Sequence, residues 1–152
     1  MQLNRQTDYA LRVLMFLALK QNNSLSNLTE ISEKFNIAKN HLTKIISKLA
    51  KLNFIITLRG HGGGIKIHTK TLDATLFDVM KHFEPTFKSI DCAGLLCPIS
   101  GTCKLESILQ EASDAYIGVL LKYKLKAIVA APLHLQEIKT LLNRLDILRN
   151  HS

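Results

Sequence analysis

Cysteine occurs three times in the chain, and all three lie within the thirteen residues DCAGLLCPISGTC, as Cys92, Cys97 and Cys103. Thiols this close together can bind a metal, react with an oxidant, or simply be neighbours. Structural zinc sites generally use Cys-x2-Cys pairs and a fourth Cys or His nearby, and neither accompanies this Cys-x4-Cys-x5-Cys spacing. The redox Cys-x-x-Cys pair is also absent. Gly94, Pro98 and Gly101 widen the gaps, which suits a loop wrapped around something larger than one ion. Iron–sulfur clusters take thiolate ligands, and backbone N–H groups of such loops bond their sulfides. On spacing, a cluster leads, with zinc and unligated redox-reactive thiols as the alternatives. An odd number of cysteines argues against a disulfide framework and for a reducing, cytosolic setting.

The rest of the chain must position this loop and give it something to control. At 152 residues and 47% apolar content, the chain can bury a real core. Its densest apolar run, Tyr9 to Leu19, is too short for a membrane span and contains Arg12. It also lacks the flanks of a signal peptide. No paired carboxylates and no Ser/His/Asp grouping suggest an enzyme. Charge is segregated: residues 1–70 hold eleven Lys/Arg against Asp8, Glu30 and Glu33, a net of +8, whereas residues 71–152 hold nine of each sign. A basic half joined to a neutral half points to a polyanion partner.

That basic half reads as a winged helix-turn-helix. Thr7 is the predicted N-cap of a first helix running to Lys20 and apolar around most of its circumference. Asn27 followed by Glu30 resembles a capping box for a short helix to Lys34, and Asn36 suits a left-handed turn. The next helix, 38–52, buries Leu42, Ile45, Ile46, Leu49 and Leu52 on one face. Its other face gathers Asn40, Thr43, Lys44, Ser47 and Lys51 without any acid, a mix that hydrogen-bonds base edges and phosphates. An ordinary solvated face is the bland alternative. Two β-branched stretches, Phe54–Leu58 and Ile65–Thr69, then flank Arg59, Gly60, His61 and three more glycines, forming a hairpin wing. A phosphate loop is a weak rival, since no Gly-Lys-Ser/Thr follows. Candidate contacts to double-stranded DNA are Lys39, Asn40, His41, Thr43, Lys44 and Ser47 of the helix and Arg59, Gly60 and His61 of the wing. Arg59 suits the negative potential of a narrow minor groove.

Beyond the wing, a short helix is predicted over 76–83 and a long one over 104–123. The long helix carries Leu105, Ile108, Leu109, Ala112, Tyr116, Val119, Leu120 and Tyr123 as an apolar stripe. The stripe meets either its twin in a homodimer or the first helix of its own chain. A further amphipathic helix is predicted over 133–149. The predicted fold is mostly α with a small β wing. Residues 1–88 form the winged helix-turn-helix, 89–103 the cysteine loop, and 104–152 the dimerisation helix and C-terminal helix.

MQL…TDYALR, AKNHLTKIISKL, RGHGGGI and the Cys-x4-Cys-x5-Cys loop together resemble the winged-helix iron–sulfur transcriptional regulators, and within them the nitric-oxide-sensing repressors. The resemblance implies a homodimeric, operator-binding, cytoplasmic repressor with a cluster on Cys92, Cys97 and Cys103, 4Fe–4S in preference to 2Fe–2S. Nitric oxide attacks the cluster and the repressor leaves its DNA. Relatives that regulate cluster assembly use a histidine shortly after the third cysteine, whereas Cys103 is followed by KLESILQ. Nitric-oxide sensors instead offer an aspartate near the start of the first helix, reaching the partner subunit's cluster, and Asp8 stands at the matching place. Without the resemblance, Asp8 is an acid favoured by the helix dipole, worth roughly 0.3–1 kcal/mol. His82 is a remoter candidate. A regulator of cluster assembly or redox state, and a zinc-stabilised or cluster-free interaction protein, are the alternative functions.

Overall fold

The computed structural model describes residues 2–20, 23–92, 94, 97–130 and 140. The first helix, α1 (Arg5–Leu19), buries Ala10, Val13, Leu14, Phe16 and Leu17. It begins earlier than Thr7 suggested. Asn4 is the cap, its side-chain oxygen accepting the Gln6 N–H at 2.9 Å. Thr7 instead turns into the core, completely buried, its hydroxyl without a partner among the described residues. Both residue types cap helices well, and burial decides between them.

Helix α2 (Leu28–Phe35) starts at Asn27, which accepts the Glu30 N–H at 2.8 Å. The reciprocal half of the box does not form, because the Glu30 carboxylate pairs with Lys20. Asn36 ends α2 in the left-handed region at φ 52°. Helix α3 (Lys39–Lys51) buries Leu42, Ile45, Ile46 and Leu49 against α1 and α2, as its periodicity required, while Leu52, expected on the same face, is its C-cap and only half-buried.

Strands β1 (Ile55–Leu58) and β2 (Gly64–Ile67) pair antiparallel, Ile55 opposite Ile67 and Leu58 opposite Gly64. Ser26 adds a short bridge to the free edge of β2, exchanging hydrogen bonds of 2.9 and 2.7 Å with Ile65. Glycine at 64 is required by that approach, since a Cβ there would lie 2.8 Å from the Ser26 carbonyl oxygen. A 3₁₀ turn (Thr69–Asp73) leads to α4 (Leu76–Met80), capped by a complete Thr75/Asp78 box.

The long helix α5 (Lys104–Lys122) packs on α4 and not chiefly on α1. Most of its apolar stripe therefore faces outward, with Leu105, Ile108, Val119 and Tyr123 each about half exposed. The chain then returns: Leu125, fully buried, anchors α6 (Leu125–Val129) against α1 and the 3₁₀ turn. Reciprocal backbone bonds of 2.9 Å, Leu76 N–H to Tyr123 O and Leu125 N–H to Ala74 O, fix the return. The helix predicted over 133–149 lies outside the described residues.

Candidate nucleic-acid interface and metal centre

Helix α3 is held by its four apolar residues, which leaves the opposite side to solvent. Lys39, Asn40, His41, Thr43, Lys44, Ser47 and Lys51 are all exposed there. Thr43 sends its hydroxyl proton back to the Lys39 carbonyl at 2.8 Å, so toward a ligand it offers chiefly an acceptor. Lys48 is withdrawn, its Nζ lying 4.6 Å from the centre of the Phe83 ring. Lys44 and Lys51 flank a shallow groove that Thr43, Ser47 and the stem of Lys48 also line. No side chain caps the helix at Ala38, so its positive end faces the same solvent.

A second hollow joins this face to α1. Asn4, Arg5, Gln6 and Tyr9 form one wall, and His41, Lys44 and Ile45 the other. Arg5 and Gln6 thus extend the cationic face, although they were not among the residues singled out from sequence. The signal was Asn4, whose role as cap places Arg5 in the first helical turn.

The wing tip brings Arg59, Gly60 and His61 to the surface. Gly60 and Gly62 have φ of 95° and 83°, and the Gly63 N–H bonds the Gly60 carbonyl at 3.0 Å. Helix face, α1 start and wing tip together present cations, amides and hydroxyls, the donors that phosphates and base edges accept.

The cysteine loop sits elsewhere, between α4 and α5. Cys92 is buried, Cys97 and Cys103 are half-buried, and all three are free thiols. The Cys97 N–H bonds the Cys92 carbonyl at 3.1 Å, Ser100 N–H bonds the Cys97 carbonyl at 3.1 Å, and Cys103 is the residue preceding α5. The carboxylate of Glu106, in the first turn of α5, accepts the Gly101 N–H at 2.7 Å. Burial pushes the Cys92 thiol up from its ordinary range, and Glu106, the other two sulfurs and Asp91 push the same way. Thiolates gathered like this repel one another unless a cation offsets them, and a coordinating metal deprotonates them outright. Three soft sulfur donors on one partly buried loop fit an iron–sulfur cluster. Among the described residues no three Cys, His, Asp or Glu converge on a single metal ion.

Asp8 is not gathered with the thiols of its own chain. It lies on the first turn of α1, its Oδ1 accepting from Arg12 Nε at 2.9 Å. His82 also stands apart from the loop. Its ring meets Phe54 edge-on at 6.0 Å, and burial, then Lys81 and Lys48, lower its pKa. The helix expected over 76–83 stops at Met80, so His82 is a surface residue of the turn after α4 and not a helix-surface residue.

Residues 3–131 match the Rrf2 family, described as iron-dependent transcriptional regulators. The chain belongs to the Rrf2 family. It is 42% identical over 132 residues to the HTH-type transcriptional regulator NsrR of Bacillus subtilis, covering 85% of this chain and 90% of that protein. The NsrR of Bacillus licheniformis is 37% identical over 141 residues, 91% of this chain and 99% of its own length. Among solved structures, the B. subtilis global cysteine regulator CymR superposes with a TM-score of 0.71 at 18% identity, over 86% of this chain and 97% of that one. IscR of T. potens gives 0.69 at 17% identity, over 88% and 90%. These two likenesses concern the fold, mostly helical with a two-stranded wing, which is the architecture of Rrf2 regulators. This Rrf2 chain is accordingly a transcriptional regulator and not an enzyme. Among its described residues no helix is long and apolar enough to cross a membrane.

Proposed function

We propose that this Rrf2 protein is a cytosolic, homodimeric repressor that senses nitric oxide through an iron–sulfur cluster. Cys92, Cys97 and Cys103 would hold the cluster, 4Fe–4S in preference to 2Fe–2S, with Asp8 of the partner subunit as fourth ligand. The observation that carries the reading is the pairing of two separate sites in one chain: a cationic helix-and-wing face, and a loop of three free thiols. The relationship to NsrR proteins over most of the chain supports nitric oxide as the signal.

When bound, the cluster supplies iron that nitric oxide can ligate. The chain's own residues do the rest. Lys39, Asn40, His41, Thr43, Lys44 and Ser47 enter the major groove of operator DNA, while Arg59, Gly60 and His61 reach the adjoining backbone and minor groove. The exposed stripe of α5 pairs two copies and sets the distance between their recognition helices. Asp8 sits on α1, which packs directly on α3, so tethering Asp8 to the other subunit constrains the recognition helix. Loss of that tether lets the spacing change, and the operator favours only one spacing.

Anaerobically isolated protein is expected to be coloured, to bind operator DNA tightly, and to lose both colour and DNA on titration with nitric oxide. Bleaching with unchanged DNA affinity would defeat the sensor reading. Colourless protein with stoichiometric zinc, still colourless after reconstitution with iron and sulfide, would defeat the cluster itself.

A further inference from the structure

The cysteine loop is tied to α5 at two points, one on each side of Cys92 and Cys97. On the C-terminal side Glu106 accepts the Gly101 N–H at 2.7 Å, and the Ser100 hydroxyl lies 3.3 and 3.4 Å from its two carboxylate oxygens. On the N-terminal side Ser113 is only 2% exposed. Its hydroxyl donates to the Leu109 carbonyl at 3.0 Å and accepts the Ser89 N–H at 3.2 Å, with the Ser89 hydroxyl 2.7 Å away.

Residues 106 and 113 are seven apart on one helix, so they share a face. The cleft along that face has Ser89, Asp91 and Cys92 on one wall and Glu106, Leu109 and Gln110 on the other. Neither tie is needed to build α5. Ser113 could bond its own helix alone, and Glu106 at the third helical position reaches past the residue preceding the helix to Gly101. Each instead gives hydrogen-bonding capacity to the loop, the nearly buried Ser113 hydroxyl accepting from Ser89 in addition to its bond within the helix.

We infer that Glu106 and Ser113 are positioning residues that seat the cysteine loop on α5, so that the three thiols are held in place before any cofactor arrives. The seat acts through Gly101 on Cys97 and Cys103, and through Ser89 on Cys92. Preorganised ligands lose less freedom when they bind. The consequence for cofactor retention rests on the cluster reading above, whereas the seat itself is a property of the chain alone.

The test is amide hydrogen exchange on the full-length, cluster-free protein, together with decay of visible absorbance in reconstituted protein challenged with a chelator. Glu106→Ala should speed exchange at Gly101 about tenfold, the loss of its one side-chain acceptor. Ser113→Ala should do the same at the Ser89 amide and leave Gly101 unchanged. Glu106→Gln keeps an acceptor oxygen without the charge and should restore both slow exchange and slow chelator loss. Unchanged Gly101 exchange in Glu106→Ala overturns the inference. So does a Glu106→Gln variant as impaired as Glu106→Ala, because the contribution would then be charge and not position. If the wild-type chain takes up no cluster, the cluster reading fails, and the exchange measurements still decide the seat.

Discussion

Lys44 and Lys48 lie four residues apart on α3, yet they make different offers to a polyanion. Lys44 opens into both hollows beside the helix, while Lys48 borders only one of them and holds its ammonium over the Phe83 ring. Each phosphate neutralised releases about one counterion, so Lys44→Ala should weaken operator binding and lower the slope of log affinity against log salt by about one. Arg5→Ala should behave likewise, from a position on α1 that sequence periodicity did not flag. Lys48→Ala should leave the slope unchanged. An equal drop for all three in salt-dependent fluorescence anisotropy would mean general charge and not placed contacts. Asp8 makes a parallel case for the cofactor. Its pair with Arg12 is exposed on both sides, and such pairs contribute between nothing and about 1 kcal/mol. Asp8→Ala should therefore leave the melting temperature of cluster-free protein nearly unchanged and shorten the lifetime of a bound cluster. Equal lifetimes would return Asp8 to a helix-dipole role.

At the scale of elements, the wing depends on its backbone more than on its side chains. A Cβ at Gly63 would collide with the Leu58 carbonyl and lie 2.9 Å from the Gly60 oxygen, both backbone atoms that cannot swing aside. Gly63→Ala should therefore displace Arg59 and His61 and weaken DNA binding, while the core, which the tip does not enter, melts as before. Gel shift and thermal melting measured together test it, and a large fall in melting temperature would show that the tip supports the core. The wing was legible in the sequence because glycine runs between β-branched stretches have few other uses. Helix α3 was legible because Leu42, Ile45, Ile46 and Leu49 repeat at the helical period. The start of α1 was not, since Asn4 and Thr7 are both good caps and only the core, invisible in one dimension, claims Thr7. Pairing of Ser26 with Ile65, the return of α6 onto α1, and the reach of Glu106 to Gly101 were equally hidden. Each depends on where loops carry residues that no local pattern connects. The spacing of the thiols and the helix that follows them were plain, but no local pattern joined Glu106 and Ser113 of that helix to the loop.

On the scale of the whole molecule, the basic half carries the exposed cationic helix face and wing, and the neutral half carries an apolar face left open. Leu105, Ile108 and Val119 of α5 and Tyr123 just after it are 57, 50, 49 and 53% exposed, an apolar stripe unusual for a free surface. Two-fold pairing through it would bury the stripe and set two recognition helices against a palindrome. Ile108→Lys places a charge within it. The side chain is already half in solvent within one chain, so folding of the protomer should survive. Pairing should not, because the contact would bury a lysine charge in an apolar face. The expected result is a monomer by sedimentation equilibrium with an unchanged far-ultraviolet spectrum. A monomer reads one half-site, so operator affinity should fall by orders of magnitude, while weak, salt-sensitive binding to random DNA, carried by α3 and the wing alone, persists. A variant that remains dimeric would move the subunit contact off this stripe. A monomeric variant that still held the operator at wild-type affinity would break the link between pairing and recognition.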